Sequence, residues 1–229
     1  VLFAMIDKQN YYNHTTTTYL REYTMLLKES EKKLLIKKEK EFYNYILFHN
    51  PKSEFENYNK IEVNWSQNED DFLAWCEGNT GVPLIDAAMR EFNKTGTMHN
   101  RLRMIVSSYL TKNLLIDWKK GEEYFASKLL DYEASSNIGS WQWAASTGAD
   151  AVPYFRIFNP YLQSAKFDKE ALFIKSVIPQ LKDVNPKQIH TENGVQSDIF
   201  LAYPKQKVSI EFSRKRAIEE FKRANNEKK

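Results

Sequence analysis

Apolar residues along this chain recur mostly every three or four positions, and no stretch alternates apolar with polar as a half-buried strand would. From Tyr19 to about Leu47 there is no Gly or Pro. Leu, Lys and Glu dominate, and Tyr23, Leu26, Leu27, Leu34 and Leu35 supply the apolar positions, which predicts a helix ended by Pro51. Residues 51–64 read as a loop. An acidic-start helix over 69–77 carries Phe72, Leu73 and Trp75, and a turn at 78–81 precedes Pro83 in the first turn of the next helix. Leu84, Ala87, Ala88 and Phe92 share one face of it, and Gly96 breaks it. Residues 98–118 predict one long amphipathic helix with Leu102, Ile105, Val106, Tyr109 and Leu110 inward. Gly121, Glu122 and Glu123 open another, the acids at the positive end of its dipole. Asp168 caps a helix over 169–181. A last basic helix, about Ser209 to Ala224, carries Phe212, Ala217, Ile218 and Phe221. The fold class is an all-α helical bundle without internal repeats.

One region escapes the period. Residues 131–159 read DYEASSNIGSWQWAASTGADAVPYFRIFN, small residues set between large aromatics. Such a backbone approaches something flat, although buried tryptophan ordinarily just packs. Arg101 and Arg103 flank Leu102 and point to different sides of one helix. The inward one needs a carboxylate, and Asp131 is the natural partner of Arg103; a purely structural ion pair fits equally well.

Composition narrows the classes. At 229 residues the chain buries one substantial core, and 28% charged with 42% hydrophobic residues excludes a disordered or fibrous chain. No apolar run spans a bilayer and no signal pattern is present, so no membrane association is expected. Cys76 is the only cysteine, which excludes an internal disulfide and fits a cytoplasmic setting. His14, His49, His99 and His190 lack metal-ligand spacing, so no metal is expected. No glycine precedes Gly78, which removes a glycine-rich phosphate cradle from the first third. Net charge is only +3, but six Lys face three Glu over 28–40, and nine Lys or Arg face four Glu over 205–229. Such runs are ordinarily solvated helix faces and point only weakly to an anionic partner.

The order of residues is more specific than their spacing. WQWAASTGADAVPYFRIFNP, preceded by MHNRLRM at 98–104 and LLIDW at 114–118, resembles the flavin-binding domain of the photolyase/cryptochrome family. The likeness runs from about Glu41 to about Asp183 and is closest to photolyases that repair cyclobutane pyrimidine dimers. It implies FAD as cofactor, with Arg103, Asp131, Tyr132, Glu133 and Asn137 against it. Glu133 stands where many members have a second Asp. Asn137 matches the asparagine beside the reactive flavin nitrogen, where plant-type cryptochromes carry an acid, and an amide offers both donors and acceptors. Trp141, Trp118 and Trp65 match an electron relay, in that order from flavin to surface. Met104 and Trp143 match residues lining the substrate pocket, and Asn100, Arg101 and Gln163 match DNA contacts. The implied partner is DNA bearing a pyrimidine dimer, flipped out to reach the cofactor, and the chain is expected to be a monomer.

The resemblance also implies parts that do not match. The family carries an N-terminal α/β antenna domain and a Thr/Ser-rich loop on the FAD phosphates; HTTTTYL at 14–20 lacks that loop's pattern. Ile36 and Glu39 stand where a pocket Glu and Trp are found, and Thr97 replaces a common Trp. Residues 1–40 therefore read as a divergent, partly helical segment joined to a photolyase-like domain over 41–229, an N-terminally truncated member. Two functions follow: light-driven splitting of the dimer by reduced FAD, or an impaired helical module with weak or no FAD binding and non-specific DNA binding.

Overall fold

A computed structural model describes residues 29–196 and 201–227, with side chains from residue 37 onward. The helix start at Tyr19, the segment 14–20 and the Ile36 side chain lie outside the described residues. Helix α1, Glu29–His49, runs through residue 40 without a break. A 3-10 turn, Pro51–Glu54, and an irregular segment lead to α2, Glu69–Glu77, capped by the Asn68 side chain. Helix α3 is Pro83–Thr95, ended at Gly96. Every described residue is helix, turn or loop, and none is strand.

The predicted long helix over 98–118 is two helices. Helix α4, Asn100–Ser108, opens into a wider π-type turn over Tyr109–Asn113, where Leu114 N–H reaches back to Tyr109 O at 2.9 Å. Leu115 then takes a left-handed φ of 57°. The cause is polar and buried. Lys112 Nζ donates to Ala145 O (3.0 Å) and Ser146 Oγ (2.8 Å) and sits over the Phe221 ring, while Asn113 Nδ2 donates to Ser213 Oγ. Helix α5, Trp118–Lys128, starts at Trp118 under the Asp117 cap, so Glu122 and Glu123 stand past its first turn instead of opening it.

The Trp-rich stretch is also more regular than its pattern. Ala134–Ala145 forms α6, and Ser135, Ile138 and residues 141–145 are all buried. A helix covered on most of its faces shows no amphipathic period. Helix α7 is Pro160–Phe167, α8 Leu172–Val177, and α9 Pro186–Ile189. Asp168 does accept from Phe173 N and Ile174 N, but from beyond the end of α7, with Ala171 at the cap position; α8 stops at Val177, before Pro179. Helix α10, Ile210–Asn226, closes the fold with Ser209 as its cap.

The core gathers Trp75, Phe92, Tyr109, Trp118, Phe125 and Trp141 from α2 to α6. Two glycines set how closely its helices approach. A Cβ on Gly121 of α5 would overlap the Trp141 ring, and one on Gly139 of α6 would overlap the Tyr43 ring of α1. Helix α6 is thereby pressed between α1 and α5.

Candidate functional site

Helices α1, α4, α5 and α6, with the segment 129–133, enclose a cavity of about 470 Å³. Eight residues singled out from the sequence line it: Asn100, Arg103, Met104, Asp131, Glu133, Asn137, Trp141 and Trp143. They come from α4, α6 and the segment before α6, so the long sequence gap between 104 and 131 closes in space.

Arg103 and Asp131 pair as the sequence predicts. Arg103 Nη2 donates to both Asp131 oxygens at 2.9 Å, and Nε donates to Met98 O at 2.7 Å. The pair ties the cavity rim to α4. Asn137 Nδ2 donates to Glu122 Oε1 at 3.0 Å, which fixes which way the amide points. Glu122, on α5, also receives the Tyr132 hydroxyl, and burial foremost pushes its carboxyl above the ordinary range. Sequence reading missed Glu122 because its position fits a helix-dipole acid equally well.

Glu133 turns back on its own helix. Its carboxylate accepts from the N–H and hydroxyl groups of Ser135 and Ser136. Partial burial acts to raise its carboxyl, but these hydrogen bonds outweigh it and hold it below the ordinary carboxylate range. A depressed folded value means that the stabilisation is full above the unfolded Glu range and is lost as pH falls through the folded value. Glu133→Ala should cost about 0.5–2 kcal/mol at neutral pH, as lost caps do. Urea unfolding at stepped pH should show that difference shrinking in acid.

Trp141 meets Phe125 edge-on at 5.1 Å between centroids, and Gly121 leaves room for its ring against α5. Trp118 leaves the same helix three residues before Gly121, on the same side, and is fully buried, its indole N–H donating to Asn57 Oδ1 at 2.8 Å. Trp65 is partly exposed, packed edge-on to Phe221 at 5.9 Å. Neither lines the cavity. Tyr132 is exposed. Arg101 stacks over the Phe167 ring at 4.0 Å. Gln163 lies one turn before Phe167 on α7, its side-chain oxygen buried without a hydrogen-bond partner among the described residues. Arg101 and Gln163 thus share one neighbourhood, outside the cavity lining and beside Asn100.

The cavity also holds residues that sequence reading did not single out for it. Phe125, Met98 and Leu129 add apolar surface, and Ser107, Ser136 and Ser140 add hydroxyls. Lys40 enters from α1 beside Glu39, which the sequence resemblance already sets at a pocket position. Indole and phenyl walls with a rim of amide, guanidinium, carboxylate and hydroxyl groups fit a flat heteroaromatic bearing both donors and acceptors, and the volume is ordinary for a cofactor site. Among the described residues no three His, Cys, Asp or Glu side chains gather as a metal would need, and no helix is long and apolar enough to cross a membrane. Cys76 is buried, and burial foremost pushes its thiol up to about 12, so it is no nucleophile.

Comparison with known proteins identifies the family. The sequence model of the FAD binding domain of DNA photolyase matches residues 15–223. A deoxyribodipyrimidine photo-lyase of Buchnera aphidicola subsp. Acyrthosiphon pisum is 48% identical over 190 residues, 81% of this chain and 39% of the relative. The Escherichia coli deoxyribodipyrimidine photo-lyase is 48% identical over 168 residues, 72% of this chain and 36% of the relative. Among solved structures, an archaeal photolyase from Sulfolobus tokodaii with two FAD molecules superposes with a TM-score of 0.77 at 40% identity, covering 88% of this chain and 46% of that one. A bacterial class III photolyase from Agrobacterium tumefaciens gives 0.76 at 36% identity, covering 89% and 45%. The chain spans less than half the length of each of these relatives.

Proposed function

Because the chain belongs to the family of FAD-binding domains of DNA photolyase, we propose that its cavity holds the flavin of a light-driven DNA repair reaction acting on pyrimidine dimers. The observation that carries this is the convergence of Arg103, Asp131, Asn137, Trp141 and Trp143 on one cavity from separate elements. When bound, FAD supplies light-driven one-electron transfer. The chain's own residues do the rest. Arg103 and Asp131 present a fixed donor and acceptor at the rim, and Glu122 holds the Asn137 amide in one orientation. Trp141 offers an oxidisable indole at the wall, with Trp118 and Trp65 beyond it. Met104 and Trp143 give the apolar surface against which an extruded pyrimidine dimer would lie, and Asn100, Arg101 and Gln163 stand beside it toward DNA.

The test is illumination of the full chain with reduced FAD and a dimer-bearing oligonucleotide. Dimers should be lost in light and retained in the dark. Equal dimer content in both, with FAD bound, overturns the reading. A companion measurement concerns the rim: Arg103→Ala removes a charge-assisted donor from a partly exposed pair, worth about 1.5 kcal/mol or roughly tenfold in FAD affinity. Titration by FAD fluorescence reads it directly.

One observation favours a weaker version of this function. Glu39 lines the cavity and adds a carboxylate to those of Asp131 and Glu133, where an anionic strand would approach. Three of the five basic residues of α10 are engaged within the fold, while Arg214 and Lys222 stay exposed. Arg216 donates to Asn113 O, Lys215 pairs with Glu211, and Arg223 with Glu220 and Glu227. Binding should therefore be salt-sensitive, through counterion release at the Arg101 face, but poorly selective. Competition of irradiated against unirradiated oligonucleotide at fixed salt should show little preference; a strong preference would show that Glu39 does not impair the pocket.

A further inference from the structure

Asn57 belongs to no motif, yet its side chain holds the middle tryptophan of the matched relay. The Trp118 indole N–H donates to Asn57 Oδ1 at 2.8 Å, and Asn57 Nδ2 donates to Ile61 O at 2.7 Å, which turns the amide oxygen toward the ring. The segment that carries Asn57 is tied to α6 and the turn after it. Gln142 Nε2 donates to Glu56 O (3.2 Å), Gln142 Oε1 accepts from Tyr58 N–H (3.0 Å), and Asn59 Nδ2 donates to Ser146 O (3.0 Å). The same segment runs on to Trp65, the partly exposed tryptophan of the three.

We propose that Asn57 is a positioning residue of the relay, an acceptor that keeps the indole proton on Trp118 while the hole passes; this rests on the reading of Trp141, Trp118 and Trp65 as electron donors in series. Trp141 loses one electron to the light-excited flavin, which is the oxidant. One electron then moves from Trp118 to Trp141, and one from Trp65 to Trp118. Trp141 and Trp118 end as they began, and Trp65 is left oxidised by one electron. No bond breaks at Trp118, and its proton stays on the ring nitrogen.

The chemistry of indole decides what that acceptor must be. Loss of an electron turns the ring N–H from a hydrogen-bond donor into an acid. Once the proton leaves, the neutral radical is a weaker oxidant than the cation and no longer draws an electron from the next indole. A carboxylate or an imidazole at this nitrogen would take the proton. An amide oxygen accepts the hydrogen bond but is not basic enough to keep the proton. Trp118 is fully buried, so water does not reach the nitrogen in its place. At the partly exposed Trp65 solvent can take the proton once the hole has arrived. Proton loss is thereby denied at the middle of the relay and left to its end.

The test is flash absorption of the full chain loaded with FAD, since the cation and the neutral radical of indole absorb at different wavelengths. Trp65→Phe stops the hole at Trp118. In that chain the cation should decay only by recombination, without a solvent deuterium effect. With Asn57→Asp added, a base stands at the same place. The cation should then decay roughly a hundredfold faster, into the neutral radical and with a deuterium effect, as proton transfer to a positioned base does. Asn57→Asp loses the donor to Ile61 O and can fail to fold, so Asn57→Ala is the second variant. It opens the nitrogen to water, and the neutral radical should again appear. A loop anchor alone would leave the protonation state of the radical unmoved. Equally slow decay of the cation in both Asn57 variants, or a neutral radical at Trp118 with Asn57 in place, overturns the proposal and leaves the relay intact. An indole radical undiminished in Trp141→Phe would instead overturn the relay reading itself.

Discussion

An Asp86→Ala chain should lose on the order of 3–5 kcal/mol of stability, at about 1–3 kcal/mol for each buried donor left without an acceptor. Asp86 is fully buried on α3 and accepts four hydrogen bonds: Thr80 N–H (2.7 Å), Thr80 hydroxyl (2.6 Å), Gly81 N–H (3.1 Å) and Tyr203 hydroxyl (2.6 Å). The last of these ties the segment before α10 to the turn before α3, where Lys207 N–H also reaches Thr80 O. Asp86→Asn keeps one acceptor oxygen and should lose less. Urea unfolding followed by circular dichroism measures both. A loss under about 1 kcal/mol for alanine, the size of an ordinary surface change, would show that water replaces the carboxylate.

Gly139→Ala should cost about 1–3 kcal/mol, as overpacking of a close-packed core does, and should weaken FAD binding with it. The added methyl would overlap the Tyr43 ring, and Tyr43 is buried, so it cannot swing into solvent. Helix α6 would have to move off α1, and these two helices carry opposite walls of the cavity, Glu39 and Lys40 on one and Asn137 and Trp141 on the other. Thermal unfolding and FAD titration on the same preparation should both shift. Lowered stability with unchanged FAD affinity would separate the helix contact from the site.

Legibility in the sequence followed the physics of each feature. Helix α2 could be read to its ends because its first turn is acidic and the turn at 78–81 follows it. The Arg103–Asp131 pair was legible from side-chain direction along a helix. The break after Ser108 was not, because Lys112 and Asn113 occupy positions that a helical period treats as ordinary, and their partners lie 33 and 100 residues away. Helix α6 was hidden for the opposite reason: burial on most of its faces erased the period. Glu122 and Trp75 show a further limit. Glu122 fits a dipole acid and Trp75 a core residue, and only the fold reveals that one holds the Asn137 amide and the other meets the Trp141 ring.

The measurement closest to the central claim fills the cavity and asks whether FAD still binds. Ser140 lies on the α6 wall of the cavity, facing neither Tyr43 nor the α5 contact in the close approaches described. Calorimetric titration of the full chain with FAD should show saturable, equimolar binding. Ser140→Phe should abolish it with thermal unfolding unchanged. FAD bound equally well by the filled variant, or not at all by the native chain, would contradict the assignment of this cavity as the flavin site.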